Sequence, residues 1–447
     1  MMSNTETYTY LNFIDFQLFS TWDVKKYLSA SIKSNFSIEK LGKHIKEENN
    51  RVFPKKHPEK DYEILGVNNK TGIFDAYIQK GKEIKQPYKI LDNGFLAYNP
   101  YRINVGSIGL KMPIHKYKYI SPAYVVFSCK KDLSPEFLFL MFKTERFNQI
   151  IKDSTTGSVR QNLSFTNLSN IEIPLPTLKE QERLIKDYQN KIQLAKKLEN
   201  EAINLEEDIE KYLLEELELT FRTVQKVETG KLYFVDFLNL QNWVYSSDEI
   251  TFYEDLHKSK YKVDEIGNIF SFITRTWNKK KEENKEYIEI GAIDPNFGIL
   301  ETKTINSKKA PSRATQLVKK GDLIIGTTRP YLKKFTIIDE IHDGFVASSG
   351  FSVVEENKEK YNLYYLNEVL KSNIGIKQFE IKMTGALYPA ITQSDLSSLK
   401  IPVPSLEIQN KIASNIEQMK QNQKNKTQQA EILRKEAIKD FENIIFI

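Results

Sequence analysis

Cysteine is almost missing. Cys129 is the only one in 447 residues, so the chain can close no internal disulfide and build no cysteine zinc site, and a reducing compartment is expected. Glycine and proline are sparse, at 18 and 15 residues, while 40% of the chain is hydrophobic and 28% charged, which excludes collagen-like, low-complexity and disordered classes. Apolar runs are short. Even residues 137–142 fall far below the ~20 residues a membrane span needs. No charged-then-apolar leader opens the chain, and a cytoplasmic location is expected.

Catalytic signatures are poor as well. No GxxxxGK[ST] phosphate loop occurs, so an ATPase is not supported. The histidines at 44, 57, 115, 257 and 342 lack metal-ligand spacing. Asn99-Pro100-Tyr101 is one proline short of the amino-methyltransferase signature, and no Gly-rich cofactor loop precedes it. Glu83-Ile84-Lys85 and Glu380-Ile381-Lys382 have the Glu-x-Lys form of some nuclease metal sites, but so short a match arises freely in a chain rich in both residues. Nothing in these patterns points to catalysis, to a metal or to a cofactor of the chain's own.

Size points to more than one globular unit, since 447 residues is about three times the usual domain. The net charge of +6 favours no partner class, but its distribution does. Residues 177–220 carry net −5 and residues 405–447 net +1, leaving +10 on the remainder. A basic excess confined to part of a chain suits a polyanion-binding surface, as it does a solvated lysine-rich face.

The chain repeats itself. Residues 156–178 align without a gap to residues 384–406 at an offset of 228: Thr156-Gly157 meets Thr384-Gly385, Leu168-Ser169 meets Leu396-Ser397, and Ile173-Pro174-x-Pro176-x-Leu178 meets Ile401-Pro402-x-Pro404-x-Leu406. Gln181 then meets Gln409. Upstream, with small drifts in offset, Gly94-Phe95-Leu96 lies opposite Gly321-Asp322-Leu323, Leu41-Gly42 opposite Ile266-Gly267 and Trp22 opposite Trp243. A period of ~220 residues is far beyond a solenoid repeat, so each copy is a domain.

Each copy has the same order. Short strand-like runs such as 62–67, 124–127, 287–290 and 323–325 come first. One helix is predicted over 137–151, capped by Ser134-Pro135, and its counterpart over 362–381. Pro-x-Pro then leads into long segments free of glycine and proline, 177–222 and 405–447. Thr177 and Glu180 have the form of a capping box, and Ser405 can cap the second helix. Ala195, Leu198, Ala202, Leu205, Ile209, Tyr212 and Leu219 give the first segment a coiled-coil seam; Ile412, Ile416, Met419, Ala430, Leu433, Ala437 and Ile444 give the second, interrupted by Gln423 and Lys426. Two ~40-residue helices of about 60 Å each are expected to pair, antiparallel or parallel, rather than fold back on their own domains. The expected fold class is α+β, with domains at 1–176 and 223–404 and long helices at 177–222 and 405–447.

Two divergent domains, each closed by Ile-Pro-x-Pro-x-Leu-x-x-Gln entering a long helix, resemble the specificity subunit of type I restriction-modification systems. The matching residues are Ile173, Pro174, Pro176, Leu178, Glu180 and Gln181, then Ile401, Pro402, Pro404, Leu406 and Gln409; Ile408 stands where the acidic residue is usual. The resemblance covers essentially the whole chain. It implies two target recognition domains joined by an antiparallel, pseudo-twofold pair of helices, each domain reading one half of a bipartite sequence in double-stranded DNA while the helices set the spacer. It further implies two methyltransferase subunits and restriction or translocase subunits as partners, with S-adenosylmethionine, ATP and magnesium used by those partners. The Pro-x-Pro and helix segments would be structural and partner-binding.

Base reading requires Arg, Asn, Gln or Lys on loops, with phosphate contacts fixing register. Residues 98–104 and 327–334 follow equivalent strands and supply such groups. Arg102 and Arg329 are the base-reading candidates, with Asn104 and Thr328 in the same loops. Tyr98, Tyr101 and Tyr331 would pack on sugars or a deformed step, and Lys333 and Lys334 would meet phosphates. Arg160 and Tyr388, past the Thr-Gly turns, rank second; Arg275 and Arg313 rank lower. The competing readings are a protein-interaction scaffold without DNA specificity, a related methylation-only or type II-like recognition subunit, and an enzyme with its own nuclease activity.

Overall fold

The computed structural model describes residues 32–155, 162–222, 247–385 and 387–447. Arg160, Thr156-Gly157, Trp22 and Trp243 lie outside them. Two compact units emerge: unit 1 comprises 1–198 with 428–447, and unit 2 comprises 199–427. The division therefore falls inside the long helical segments. Among the described residues no helix is long and apolar enough to cross a membrane.

The described residues of unit 1 form the strands β1 (Ser37–Lys40), β2 (Ile45–Glu47), β3 (Arg51–Val52), β4 (Asp61–Asn68), β5 (Gly72–Lys80), β6 (Tyr88–Ile90), β7 (Leu96–Tyr98), β8 (Ile108–Leu110), β9 (Tyr119–Ile120), β10 (Val125–Cys129) and β11 (Glu172–Leu175). They form a sheet of order β2-β10-β7-β8, another of order β3-β6-β9-β4-β5, and the pair β1-β11. The helices α1 (Pro135–Met141), α2 (Glu145–Ser154), α3 (Phe165–Ser169) and α4 (Leu178–Glu216) follow in chain order, β11 preceding α4. Phe127, Phe137, Phe147, Leu168 and Ile173 fill the core between the first sheet and α1 to α3.

Unit 2 opens with α5 (Ser247–Leu256), β12 (Val263–Glu265), α6 (Ile266–Ile269) and β13 (Phe272–Ile273). Nine strands follow: β14 (Asn284–Ile288), β15 (Ile293–Asp294), β16 (Gly298–Ile299), β17 (Lys303–Asn306), β18 (Ala314–Leu317), β19 (Leu323–Gly326), β20 (Phe335–Ile337), β21 (Val346–Ser348) and β22 (Phe351–Val354). Then come α7 (Leu363–Lys371), α8 (Asn373–Lys382), α9 (Gln393–Ser397), β23 (Lys400–Pro402) and α10 (Leu406–Ile445). The sheets run β13-β22-β19-β20 and β17-β14-β21-β18, with β12 paired to β23.

The repeat has a packing cause. A Cβ on Gly42 would lie 2.8 Å from the Ser169 Cβ, and one on Gly267 would lie 2.9 Å from the Ser397 Cβ, so the same turn presses on the same short helix in both units. Gln181 is fully buried: its carbonyl accepts from Ser134 N (2.8 Å) and its amide donates to Pro176 O (2.9 Å) and Asp132 O (3.0 Å). Gln409 does the same with Asn362 N (2.9 Å) and Pro404 O (3.0 Å). The glutamine thus ties the Pro-x-Pro turn to the residue capping α1 or α7. Pro174, Pro176, Pro402 and Pro404 are buried beside it and Leu406 is half-buried, which leaves Leu178, 44% exposed, as the motif's main surface residue.

Each predicted mid-domain helix is instead two. Thr144 lies inside the apolar pattern yet caps α2, its hydroxyl accepting from Phe147 N (3.3 Å), and Ser372 caps α8 by accepting from Ile374 N (3.2 Å). The capping box at α4 is half made: Thr177 Oγ1 accepts from Glu180 N (3.4 Å), but the Glu180 carboxylate turns to Arg183 (2.6 Å).

The long helices pair antiparallel within each unit. In unit 1 Ala195, Ala430, Ala437 and Phe441 are buried, and Lys191 pairs with Asp440. In unit 2 Lys411 meets Glu216 (2.9 Å), Asn415 donates to the Tyr212 hydroxyl (2.7 Å), Gln423 to Ala202 O (3.0 Å), and Lys426 pairs with Glu201 (2.5 Å). Gln423 and Lys426, which look like interruptions of the seam, are its polar contacts. Ile444 is 38% exposed because Phe441 and Ile445 occupy the buried face, and Leu219 lies beyond the end of α4.

Candidate nucleic-acid interface

The two loops singled out in the sequence are the same hairpin connection in the two units, joining β7 to β8 and β19 to β20. In unit 1, Asn99 Oδ1 accepts from Tyr101 N (3.0 Å), closing an Asx turn, and Gly106 at φ +83 ends a short 3-10 turn over Ile103–Val105. Ile103 is the buried anchor. The turn leaves Tyr101 57% exposed, Arg102 exposed with no side-chain hydrogen bond or ion pair among the described residues, and Asn104 half-buried. Tyr98 is different: it is fully buried and its hydroxyl donates to Leu163 O (3.1 Å), so it belongs to the core and has no surface to give to DNA. Burial pushes its phenol well above the ordinary range.

In unit 2 the connection is more tightly held. Thr327 N and Oγ1 both donate to Gly350 O (2.9 Å), and half-buried Thr328 bridges to Ala390. Arg329 and Lys333, in the left-handed region at φ +51 and +55, flank the 3-10 turn Pro330–Leu332. Arg329 N donates to Pro389 O (2.7 Å) and its Nη2 to Leu387 O (3.2 Å), while the guanidinium carbon lies 5.3 Å from the Tyr388 ring centroid. A shared hydrogen bond pins the following segment to each loop: Leu163 N to Pro100 O and Ile391 N to Thr327 O, both 3.0 Å.

The remaining unit 2 candidates separate by what holds them. Tyr331 is 38% and Tyr388 72% exposed, and Arg313 is exposed. The Lys334 ammonium donates to Ile293 O, which ties its side chain to the fold. Lys333 lines an acid-rich groove with Glu206, Glu207 and Glu210, a poor place for a phosphate; burial raises the Glu210 carboxyl, which accepts from Asn373 N (3.0 Å). Arg275 is held by two carboxylates of its own unit. Its fork grips Asp322, whose side chain is 2% exposed, and Glu355 (2.9 Å). Burial draws the Arg275 guanidinium down, but Asp322 and Glu355 outweigh it and hold its pKa above the ordinary value. Leu387, 81% exposed beside Tyr388, was not among the expected residues; its signal is an apolar pair between Gly385 and Pro389 in a turn.

Among the described residues no group of three His, Cys, Asp or Glu could hold a metal ion. The arrangement is two structurally equivalent hairpin tips offering Arg and Tyr side chains, which can hydrogen-bond and stack.

A family model for the type I restriction modification DNA specificity domain matches residues 33–207 and again 258–434. The type I restriction enzyme HindI specificity subunit of Haemophilus influenzae is 29% identical over 156 residues, 34% of this chain and 34% of its own length. The MjaIX specificity subunit of Methanocaldococcus jannaschii is 22% identical over 319 residues, 68% of this chain and 67% of its own. The chain thus spans about a third of the first relative and two thirds of the second. A chain from the solved structure "Structural basis underlying complex assembly and conformational transition of the type I R-M system" shares the fold at TM-score 0.59 and 15% identity, covering 93% of this chain and 98% of that one. Two copies of the family's domain and a shared fold over nearly the full length lead to one conclusion: the chain belongs to the type I restriction modification DNA specificity domain family.

Proposed function

We propose that each unit reads one half of a bipartite DNA sequence through its hairpin tip, and that α4 and α10 set the unread spacer and carry the docking sites for two methyltransferase subunits. The observation that carries this reading is the equivalence of the β7–β8 and β19–β20 connections, which occupy one place in a duplicated frame while differing in side chains. A duplicated frame with divergent tips suits two different half-sequences. Restriction or translocase subunits would join the same complex, with S-adenosylmethionine, ATP and magnesium bound by the partners, and the chain would act where the DNA is, in the cytoplasm.

Mapping methylated adenines across the genome with and without this gene tests the proposal. One bipartite methylated motif disappears with the gene. An unchanged methylation pattern refutes the reading.

A further inference from the structure

Leu387 and Tyr388 are carried on a turn whose described residues are 384–385 and 387–390. Thr384 N donates to Ala390 O (3.0 Å) and Ala390 N to Thr384 O (2.9 Å), closing it at the base. Gly385 sits at φ +99, where a Cβ would approach Tyr388 O to 3.1 Å, so a side chain there is strained. The turn is then fastened to the β19–β20 connection by Arg329 N to Pro389 O (2.7 Å), Ile391 N to Thr327 O (3.0 Å) and the Arg329 side chain. At its tip Leu387 and Tyr388 are 81% and 72% exposed. Exposed apolar groups on a loop this well braced are not the by-product of slack packing.

Part of the Arg329 guanidinium is committed within the turn. Its Nε is buried without an acceptor, one Nη2 hydrogen is given to Leu387 O, and one face lies against the Tyr388 ring, so the Nε–Nη2 edge is lost to bidentate reading of guanine and only the Nη1–Nη2 end is left for a base. Two of the three described non-glycine residues at positive φ, Arg329 and Lys333, flank this one turn, and such strain persists only where the surroundings impose it. Of the basic residues in 326–338 and 381–394, Lys333 lines the acid-rich groove and Lys334 is held by Ile293 O, which leaves Arg329 and Lys382 as the cations that favour DNA at this tip.

We infer that Leu387 and Tyr388 form an apolar wedge that packs into an unstacked base step of the half-site read by unit 2, and that Arg329 is a positioning residue holding the wedge in place. The inference rests on the proposal that this unit reads DNA, and it names how. An apolar wedge senses how readily a step unstacks, so it selects flexible pyrimidine–purine steps without base-edge hydrogen bonds.

The test uses the full chain in its native complex, purified by a tag on this chain, to select from a randomised duplex library; the enriched duplex is then used in competition binding. Leu387→Ala and Tyr388→Ala are expected to weaken that duplex about ten-fold or more and to blur one half of the motif, with the slope of log affinity against log salt unchanged because no phosphate contact is lost. Tyr388→Phe should stay within about three-fold of wild type, since the ring and not the hydroxyl does the packing. Arg329→Ala should match Tyr388→Ala, and the double variant should be no weaker than either single. If the double variant loses the product of the two, Arg329 reads a base itself and its positioning role is overturned. A wild-type motif that survives Leu387→Ala and Tyr388→Ala intact overturns the wedge while leaving DNA reading in place. Variants that lose their companion subunits overturn it in favour of a protein contact. A wild-type complex that enriches no motif overturns DNA reading, and the wedge with it.

Discussion

The frame and the hairpin tips of this chain follow opposite rules. In the frame, Gly42 against Ser169 repeats as Gly267 against Ser397, and Gln181 repeats as Gln409 with the same kinds of partner. At the tips, Arg102 stands free in unit 1 while Arg329 is locked to Leu387 and Tyr388 in unit 2. Close packing and buried hydrogen bonds admit few substitutions, whereas an exposed turn admits many, so duplication is preserved where atoms touch and lost where they meet solvent. The divergence lies where the proposed reading of two different half-sequences needs it.

The comparison breaks first at Arg275. It sits among the sequence candidates for DNA contact but behaves as frame, so Arg275→Met strands the buried Asp322 carboxylate and should cost roughly 3–5 kcal/mol in urea unfolding. A stable variant with weakened DNA binding would move Arg275 to the reading surface.

The glutamines sharpen the comparison within the frame. Gln181→Met orphans one buried and two part-buried partners and should cost about 3 kcal/mol, against about 2 kcal/mol for Gln409→Met, which orphans one of each. Equal losses in thermal unfolding would mean that the two clamps do not work through these bonds. At a tip the pattern reverses: Arg102→Ala should weaken half-site binding by roughly 1–3 kcal/mol and change stability by less than about 0.5 kcal/mol.

The smallest effect concerns Lys371, whose ammonium donates to Pro295 O (2.8 Å) and is drawn down by burial, with Lys420 adding to it, to about 8. The unfolded chain keeps this proton up to its ordinary value of 10.5, so it binds more protons than the folded chain between these limits. Stability should therefore rise with pH from about 8 to 10.5, by roughly 1–2 kcal/mol, and Lys371→Met should flatten that rise in pH-dependent unfolding.

Legibility followed the same divide. The duplication, the strand runs, the Ser134 cap and both long helices were readable, because periodicity and breaker residues act locally. The breaks at Thr144 and Ser372 were hidden, since a cap inside an apolar stripe looks like one more helical position. Tyr98 and Tyr101 are three residues apart and equally aromatic, yet one is core and one is surface; only the pairing of β7 with β8 and β10 separates them. The contacts that hold Arg275 and Arg329 are hidden in the sequence for a related reason: Asp322 and Leu387 lie 47 and 58 residues away. Gln423 and Lys426 were read as flaws in a seam for want of Ala202 O and Glu201 opposite them.

Separate reading by two tips is tested most directly by comparing the motifs enriched by native complexes carrying Arg102→Ala or Tyr388→Ala. Each variant should erase information from a different half of one bipartite motif and leave the other half as wild type. Loss from both halves under either change, or a single uninterrupted motif, would contradict the account.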